Sequence, residues 1–265
     1  MILLENVHYT VDIYSWWVIA LLIFAGFLVG IINTFAGSGS AITYTVYMML
    51  GLPATMANGT LRITVLLQTL SATITFFRKN VLELKKALLL GLPTLFGSIL
   101  GAEIAVNIDE GVFRKILAVA MIFMLFFVLY KPESWIKGKA HKVKPKPTFV
   151  QVILFFLIGM YGGFLHIGVG IFILAGLVLN AGYDIVKANA IKVFIVLMYN
   201  PFALAIYIFS GQVDFIIGGI TAIGGLIGGT LASHLAIKKG ASFARWILII
   251  VLVFFIGKLL GVYSF

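Results

Sequence analysis

The feature that most constrains this chain is a series of apolar stretches, each about the length of one membrane crossing. Full-length segments lie near 14–35, 56–77, 85–105, 113–130, 149–166, 186–209, 215–236 and 244–262. An α-helix needs roughly 20 apolar residues to span the hydrocarbon layer. Runs such as LAVAMIFMLFFVLY do not alternate, so a β-barrel is not expected. Helix follows because lipid offers no partner for an open backbone. Two shorter apolar stretches, 41–50 and 171–179, cover only about half a bilayer at ~1.5 Å per residue. With 62% hydrophobic and 11% charged residues, too few charges remain to cover a water-facing surface. A soluble enzyme is thereby excluded. The expected fold is an all-α polytopic membrane protein embedded in a lipid bilayer.

The net charge of +10 does not point to nucleic acid. Six lysines, Lys131, Lys137, Lys139, Lys142, Lys144 and Lys146, fall in one short stretch between two apolar blocks. A connector beside an anionic inner leaflet accounts for them. There are no cysteines, so disulfides and thiolate chemistry are absent. The N-terminal MILLENVHYTVDIYSWW carries Glu5 and Asp12 and does not read as a cleaved signal peptide.

Loop charges predict an orientation. Arg78, Lys79, Lys85 and Lys86 form one basic cluster, the 131–147 connector a second, and Lys238, Lys239 and Arg245 a third. The turns near 106–111 and 210–214 carry Asp109, Glu110 and Asp214, with Arg114 and Lys115 close by. The positive-inside rule places the three basic clusters in the cytoplasm and the N-terminus outside. Lys238 then requires an even number of crossings after the connector, so the short segment 171–179 must contribute to one. The expected location is the inner (plasma) membrane.

The two halves look alike. GIINTFAGSGSAI begins at Gly30 and GMYGGFLHIGVGI at Gly159. MANGTLRI at 56–63 matches VKANAIKV at 186–193, which pairs Arg62 with Lys192. Gly97 and Gly101 correspond to the glycine-rich 224–229 region, and FRKIL at 113–117 resembles ARWIL at 244–248. We divide the chain into a first transmembrane repeat over 1–130, a basic cytoplasmic connector over 131–148 and a second repeat over 149–265. Each repeat is expected to hold about four full-length helices and one short broken or re-entrant helix. An odd number of crossings per unit makes the copies inverted, an arrangement that recurs among transporters with substrate near the midplane.

Three groups carry candidate chemistry. The run Asn33, Thr34, Phe35, Ala36, Gly37, Ser38, Gly39 and Ser40 cannot form a rigid helix interior. It precedes a half-length segment whose N-terminus offers free N–H groups to an anion, with Ser38 and Ser40 as caps. Tight packing of small residues is the other reading. Its matching break is His166-Ile167-Gly168-Val169-Gly170. The second group is the pair of membrane-depth cations, Arg62 and Lys192, for which an anionic ligand or snorkelling to the headgroups are the alternatives. Arginine presents a planar fork to two oxygens of a small oxyanion. Asn58, Thr60 and Asn189 add hydrogen bonds, Gly59 permits close backbone approach, and Gln68 lies further along the same helix. Asn200-Pro201 is expected to interrupt the second-half helix. The third group is His166, Glu103 and His234. His166 and Glu103 are proton-coupling candidates, whereas His234 sits near a span end. No HExxH or clustered ligand spacing suggests a metal, and no GxxxxGK[ST] loop suggests ATP hydrolysis.

The motifs GxxxGxxNTFAGSGSAIT at Gly26–Thr43, LGLPATMANGTLRI at 50–63 and SATITFFRKN at 71–80 resemble the TauE/SafE, or sulfite exporter, family of membrane permeases. The resemblance covers nearly the whole chain. It implies secondary transport of small sulfur-containing anions such as sulfite, thiosulfate or organosulfonates, driven by a proton or ion gradient, with no cofactor. Buried cations and paired helix breaks lead to an anion carrier without fixing sulfur, direction, coupling ion or oligomeric state. The rivals are an anion channel, a carrier of another organic anion, a membrane-embedded enzyme using His166 and Glu103, and an assembly subunit.

Overall fold

The computed structural model describes residues 9–117, 119 and 146–259, with the backbone alone over 240–259. The elements in chain order are α1 (Trp16–Phe35), α2 (Ser40–Met49), α3 (Ala54–Arg78), α4 (Leu84–Asn107), a helical stretch over 110–117, α5 (Phe149–Phe164), α6 (Val169–Ala175) running into a π-turn (Gly176–Asn180), α7 (Ile185–Phe209) and α8 (Phe215–Leu259). Five of these carry windows long and apolar enough to cross a membrane: α1, α3, α4, α7 and residues Phe215–Lys239 of α8. No strand occurs among the described residues.

The expected spans and short segments are found, with two differences. The turn expected between 236 and 244 is not there, and α8 continues unbroken through Leu259. Nothing in GASFAR at 240–245 removes a backbone donor, and the one glycine costs a helix only about 1 kcal/mol. Likewise α7 runs continuously past Pro201. The 131–145 part of the connector, and the expected span at 113–130 beyond Leu117 save Val119, lie outside the described residues.

Glycine sets the tightest contacts. A Cβ on Gly26 would collide with the Thr221 carbonyl, and one on Gly224 or Gly228 with the carbonyl of Ile23 or Phe27. Gly97, Gly101, Gly159 and Gly163 do the same between α4 and α5, against Phe156, Met160, Thr94 and Ser98. Small residues let two backbones touch where lipid supplies no hydrophobic drive for association. Residue numbers rise together along both interfaces, so α1 runs parallel to α8 and α4 parallel to α5. The third helices of the two halves behave differently. Asn58 meets Tyr207 while Asn200 meets the carbonyl of Arg62, so α3 and α7 are antiparallel.

These directions sort the helix ends. One end collects Asp12, Asp109, Glu110 and Asp214. Glu110 caps α3 by accepting from the amides of Ala54 and Thr55, and Tyr9 donates to Asp214. The opposite end collects Arg78, Lys79, Lys85, Lys86, Lys187 and Lys238, with Glu83 bridging Lys86 and Lys187 at 3.1 and 3.2 Å. Each half contains a hairpin, α1–α2 and α5–α6, whose legs return to the end they came from. The short segment after α5 thus reverses the chain, as the charge pattern requires. Among the described residues, α4 finishes at the acidic end and α5 starts at the basic end.

Candidate functional site

The two hairpin breaks meet near the middle of the molecule. Gly37 packs directly on Gly170, backbone to backbone. Gly37 takes φ +80°, which its missing Cβ makes inexpensive. At the matching position of the other break stands His166 with φ +57°. A non-glycine residue there is held by its surroundings at a cost of about 1–2 kcal/mol. Its Nδ1 lies 3.2 Å from the Tyr199 hydroxyl, and its side chain is buried.

Neither cation snorkels. Arg62 is 0% and Lys192 1% exposed. Lys192 shares a small cavity with Gly170 at the start of α6, but the hydrogen bonds of the two cations do not go to the N-termini of α2 and α6. Each instead reaches the C-terminal carbonyls of the broken helix in the other half. Arg62 donates from Nη2 to the carbonyls of Gly162 and Gly163, at 3.2 and 2.5 Å. Lys192 donates from Nζ to those of Asn33 and Thr34, both at 2.8 Å, and to Asn189 Oδ1 at 2.7 Å. The physical reason is the helix dipole. The last carbonyls of α1 and α5 have no partner within their helices and carry partial negative charge. The exchange is reciprocal: Arg62 and Lys192 are 130 positions apart, and their acceptors, Asn33 with Gly162 and Thr34 with Gly163, are each 129 apart.

The two sites differ in how well they are satisfied. Lys192 has three donors and three acceptors. Arg62 uses one nitrogen, and its buried Nε and Nη1 have no hydrogen-bond partner. Its guanidinium lies over the Tyr207 ring, 4.6 Å from the centroid. Tyr207 in turn donates to the Phe164 carbonyl and accepts from Asn58, so the aromatic side of Arg62 is braced. No carboxylate pairs with either cation among the described residues; the ion pairs there are Lys86–Glu83, Lys187–Glu83 and Arg114–Glu110, at the molecule's ends.

A cavity of about 20 Å³ opens between the breaks, lined in part by Asn33, Gly37, Gln68, His166, Gly170 and Lys192. Gln68 donates to Thr34 Oγ1 and leaves Oε1 unpartnered; Asn33 donates to Ser40 Oγ and leaves Oδ1 unpartnered. Ser38 is buried with a free hydroxyl. Neither serine caps α2, whose start at Gly39 has no side-chain cap. The second break is likewise uncapped at Gly168, which takes φ +72°. Asn189 lies beside the cavity, holding Lys192.

Other predicted residues serve elsewhere. Thr60 accepts from the amide of Asp214, and Gly59 admits the Gln212 carbonyl, which places both at the acidic end. Asn58 braces the end of α5. Glu103 is exposed on α4 and His234 on α8, away from the breaks. Among the described residues no group of His, Asp or Glu could hold a metal. Sequence reasoning missed Tyr199 and Tyr207. Their signal was a hydroxyl in a membrane-depth helix, which needs a partner when buried. It also missed the acceptors of both cations, because a backbone carbonyl leaves no mark in sequence.

Known proteins are similar to this chain in sequence. The chain is 30% identical over 233 residues to a probable membrane transporter protein, ORF9, of Sinorhizobium sp., covering 88% of each chain. It is 25% identical over 232 residues to a probable membrane transporter protein of Haemophilus influenzae, covering 88% of this chain and 90% of the relative. It is 27% identical over 242 residues to the probable membrane transporter protein YfcA of Escherichia coli K12, covering 91% and 89%. No solved structure gives a significant match. The family profile described as sulfite exporter TauE/SafE matches residues 22–259, most of the apolar bundle and both breaks, and the chain belongs to that family.

Proposed function

We propose that the protein is a secondary carrier of small anions, sulfur oxyanions of the sulfite or organosulfonate type, working by alternating access between two inverted repeats in the inner membrane. The observation that carries this reading is Arg62. A guanidinium buried at membrane depth, with no carboxylate paired to it among the described residues and with two unpartnered nitrogens, is a costly arrangement that an anion would relieve. An oxyanion can accept a charge-assisted hydrogen bond from the free Nε–H or from Nη1. Sulfur is suggested by the family's description alone.

Support for inversion comes from the antiparallel course of α3 and α7, with their reciprocal grip on the broken helices. Support for a carrier rather than an open channel comes from the cavity. Its volume, about 20 Å³, suits a single water. A sulfite ion needs more room, so the halves must separate to admit it. Anion passage then alternates with the closed packing of Gly37 on Gly170.

The test is uptake of labelled sulfite, thiosulfate and short sulfonates into proteoliposomes, with and without imposed pH and sodium gradients. Arg62→Ala is expected to lower uptake at least tenfold. Full uptake by that variant rejects the assignment of Arg62. Electrical recordings showing flux far above a carrier's turnover would favour the channel.

A further inference from the structure

The two ties between the halves share a geometry and differ in chemistry. Arginine stays charged at any accessible pH, so the hold of Arg62 on α5 is permanent. Lys192 occupies the matching place with a group that can lose its proton. Its three N–H donors meet three acceptors, Asn33 O, Thr34 O and Asn189 Oδ1. Those acceptors are dipoles, and no described carboxylate balances the charge.

The surroundings narrow the choice of titrating group. α1 brings only backbone carbonyls to Lys192. α3 brings Gln68 and Thr69, neither titratable, and its Arg62 is the permanent charge of the core. The second break brings His166 to the same cavity, with Nδ1 already engaged by Tyr199 of α7. Glu103 is exposed elsewhere.

We propose that Lys192 is the group that takes up and releases the carrier's coupling proton, and that its ammonium form is the releasable fastening between α7 and the broken end of α1. On release the proton passes from Nζ to water in the adjoining cavity. The amine left behind has two N–H donors for three acceptors, and its bonds are no longer charge-assisted. The end of α1 is freed beside residues 36–39, where helix is already interrupted. α5, fastened by Arg62, stays in place. Proton uptake restores the bond. The role in a transport cycle rests on the carrier reading; the titration and the loosening do not.

Hydrogen exchange of the full chain in lipid nanodiscs tests this without any substrate. After correction for the intrinsic effect of pH, amides of residues 33–41 in the wild type are expected to exchange about tenfold faster in alkaline than in neutral buffer, the equivalent of one strong hydrogen bond. Lys192→Arg should stay slow in both and Lys192→Met fast in both. A wild type without that response, or either variant keeping it, overturns the proposal. Should Lys192→Arg not fold, Lys192→Met decides alone. A second arm measures protons moved per sulfite in proteoliposomes with an internal pH dye. Lys192→Arg is expected to lose that ratio at whatever flux remains, and an unchanged ratio overturns the coupling role. A wild type that moves no sulfite counts against the proposed substrate, while the exchange measurement still decides the fate of Lys192.

Discussion

Single side chains decide how much strain the centre carries. Tyr207 supports Arg62 with its ring and the end of α5 with its hydroxyl. Tyr207→Phe keeps the ring and deletes the hydroxyl's bonds to Asn58, Gly163 and Phe164, leaving the Asn58 amide without one acceptor. We expect a loss of about 1–3 kcal/mol, read as a lower melting temperature in detergent. At the basic end, burial pushes the Glu83 carboxyl up, but hydrogen bonds and attraction from Lys86 and Lys187 win and hold it below its ordinary value. A lowered folded-state pKa adds stability that is present above the unfolded value, about 4.3, and is lost as pH falls through the folded one. Glu83→Gln should flatten that acid limb of the stability curve, measured by thermal unfolding across acidic pH.

The interrupted hairpins and the glycine-lined pairs α1–α8 and α4–α5 define the middle scale. Gly97 has the backbone of Phe156 where a side chain would go, whereas Gly219 faces open space. Gly97→Leu should force α4 from α5 and cost several kcal/mol. Gly219→Ala should be neutral or stabilising by up to about 1 kcal/mol. Monodisperse yield and melting temperature of the two variants check the contrast. Much at this scale was readable from sequence. Apolar length gave α1, α3, α4 and α7 within a few residues, the clustered small residues at 36–40 marked the first break, and the repeat marked its match at 166–170. What escaped was the join at 237–243, because basic residues mark a membrane surface without ending a helix. The direction in which Arg62 and Lys192 point escaped too, since their partners are main-chain atoms a hundred or more positions away.

At the scale of the whole molecule, charge is sorted by end. The acidic end carries Asp12, Asp109, Glu110 and Asp214, and the basic end the lysines around Glu83. If the basic end is cytoplasmic, as the positive-inside rule requires, a membrane-impermeant maleimide on intact cells should label Ser210→Cys, whereas Lys79→Cys should label only after permeabilisation. The chain has no native cysteine, so the signal is unambiguous. The reverse pattern would turn the molecule over and leave its internal geometry untouched.

The reciprocal grip of each cation on the opposite half bears on biosynthesis. When α3 leaves the ribosome, the carbonyls of Gly162 and Gly163 have yet to be made. Arg62 must therefore wait in a translocon, at an interface or beside water until α5 arrives. α1 waits longer still for Lys192. A truncated product ending before Phe149 would carry an orphaned guanidinium into lipid, the sort of lesion by which quality-control proteases recognise unfinished membrane proteins.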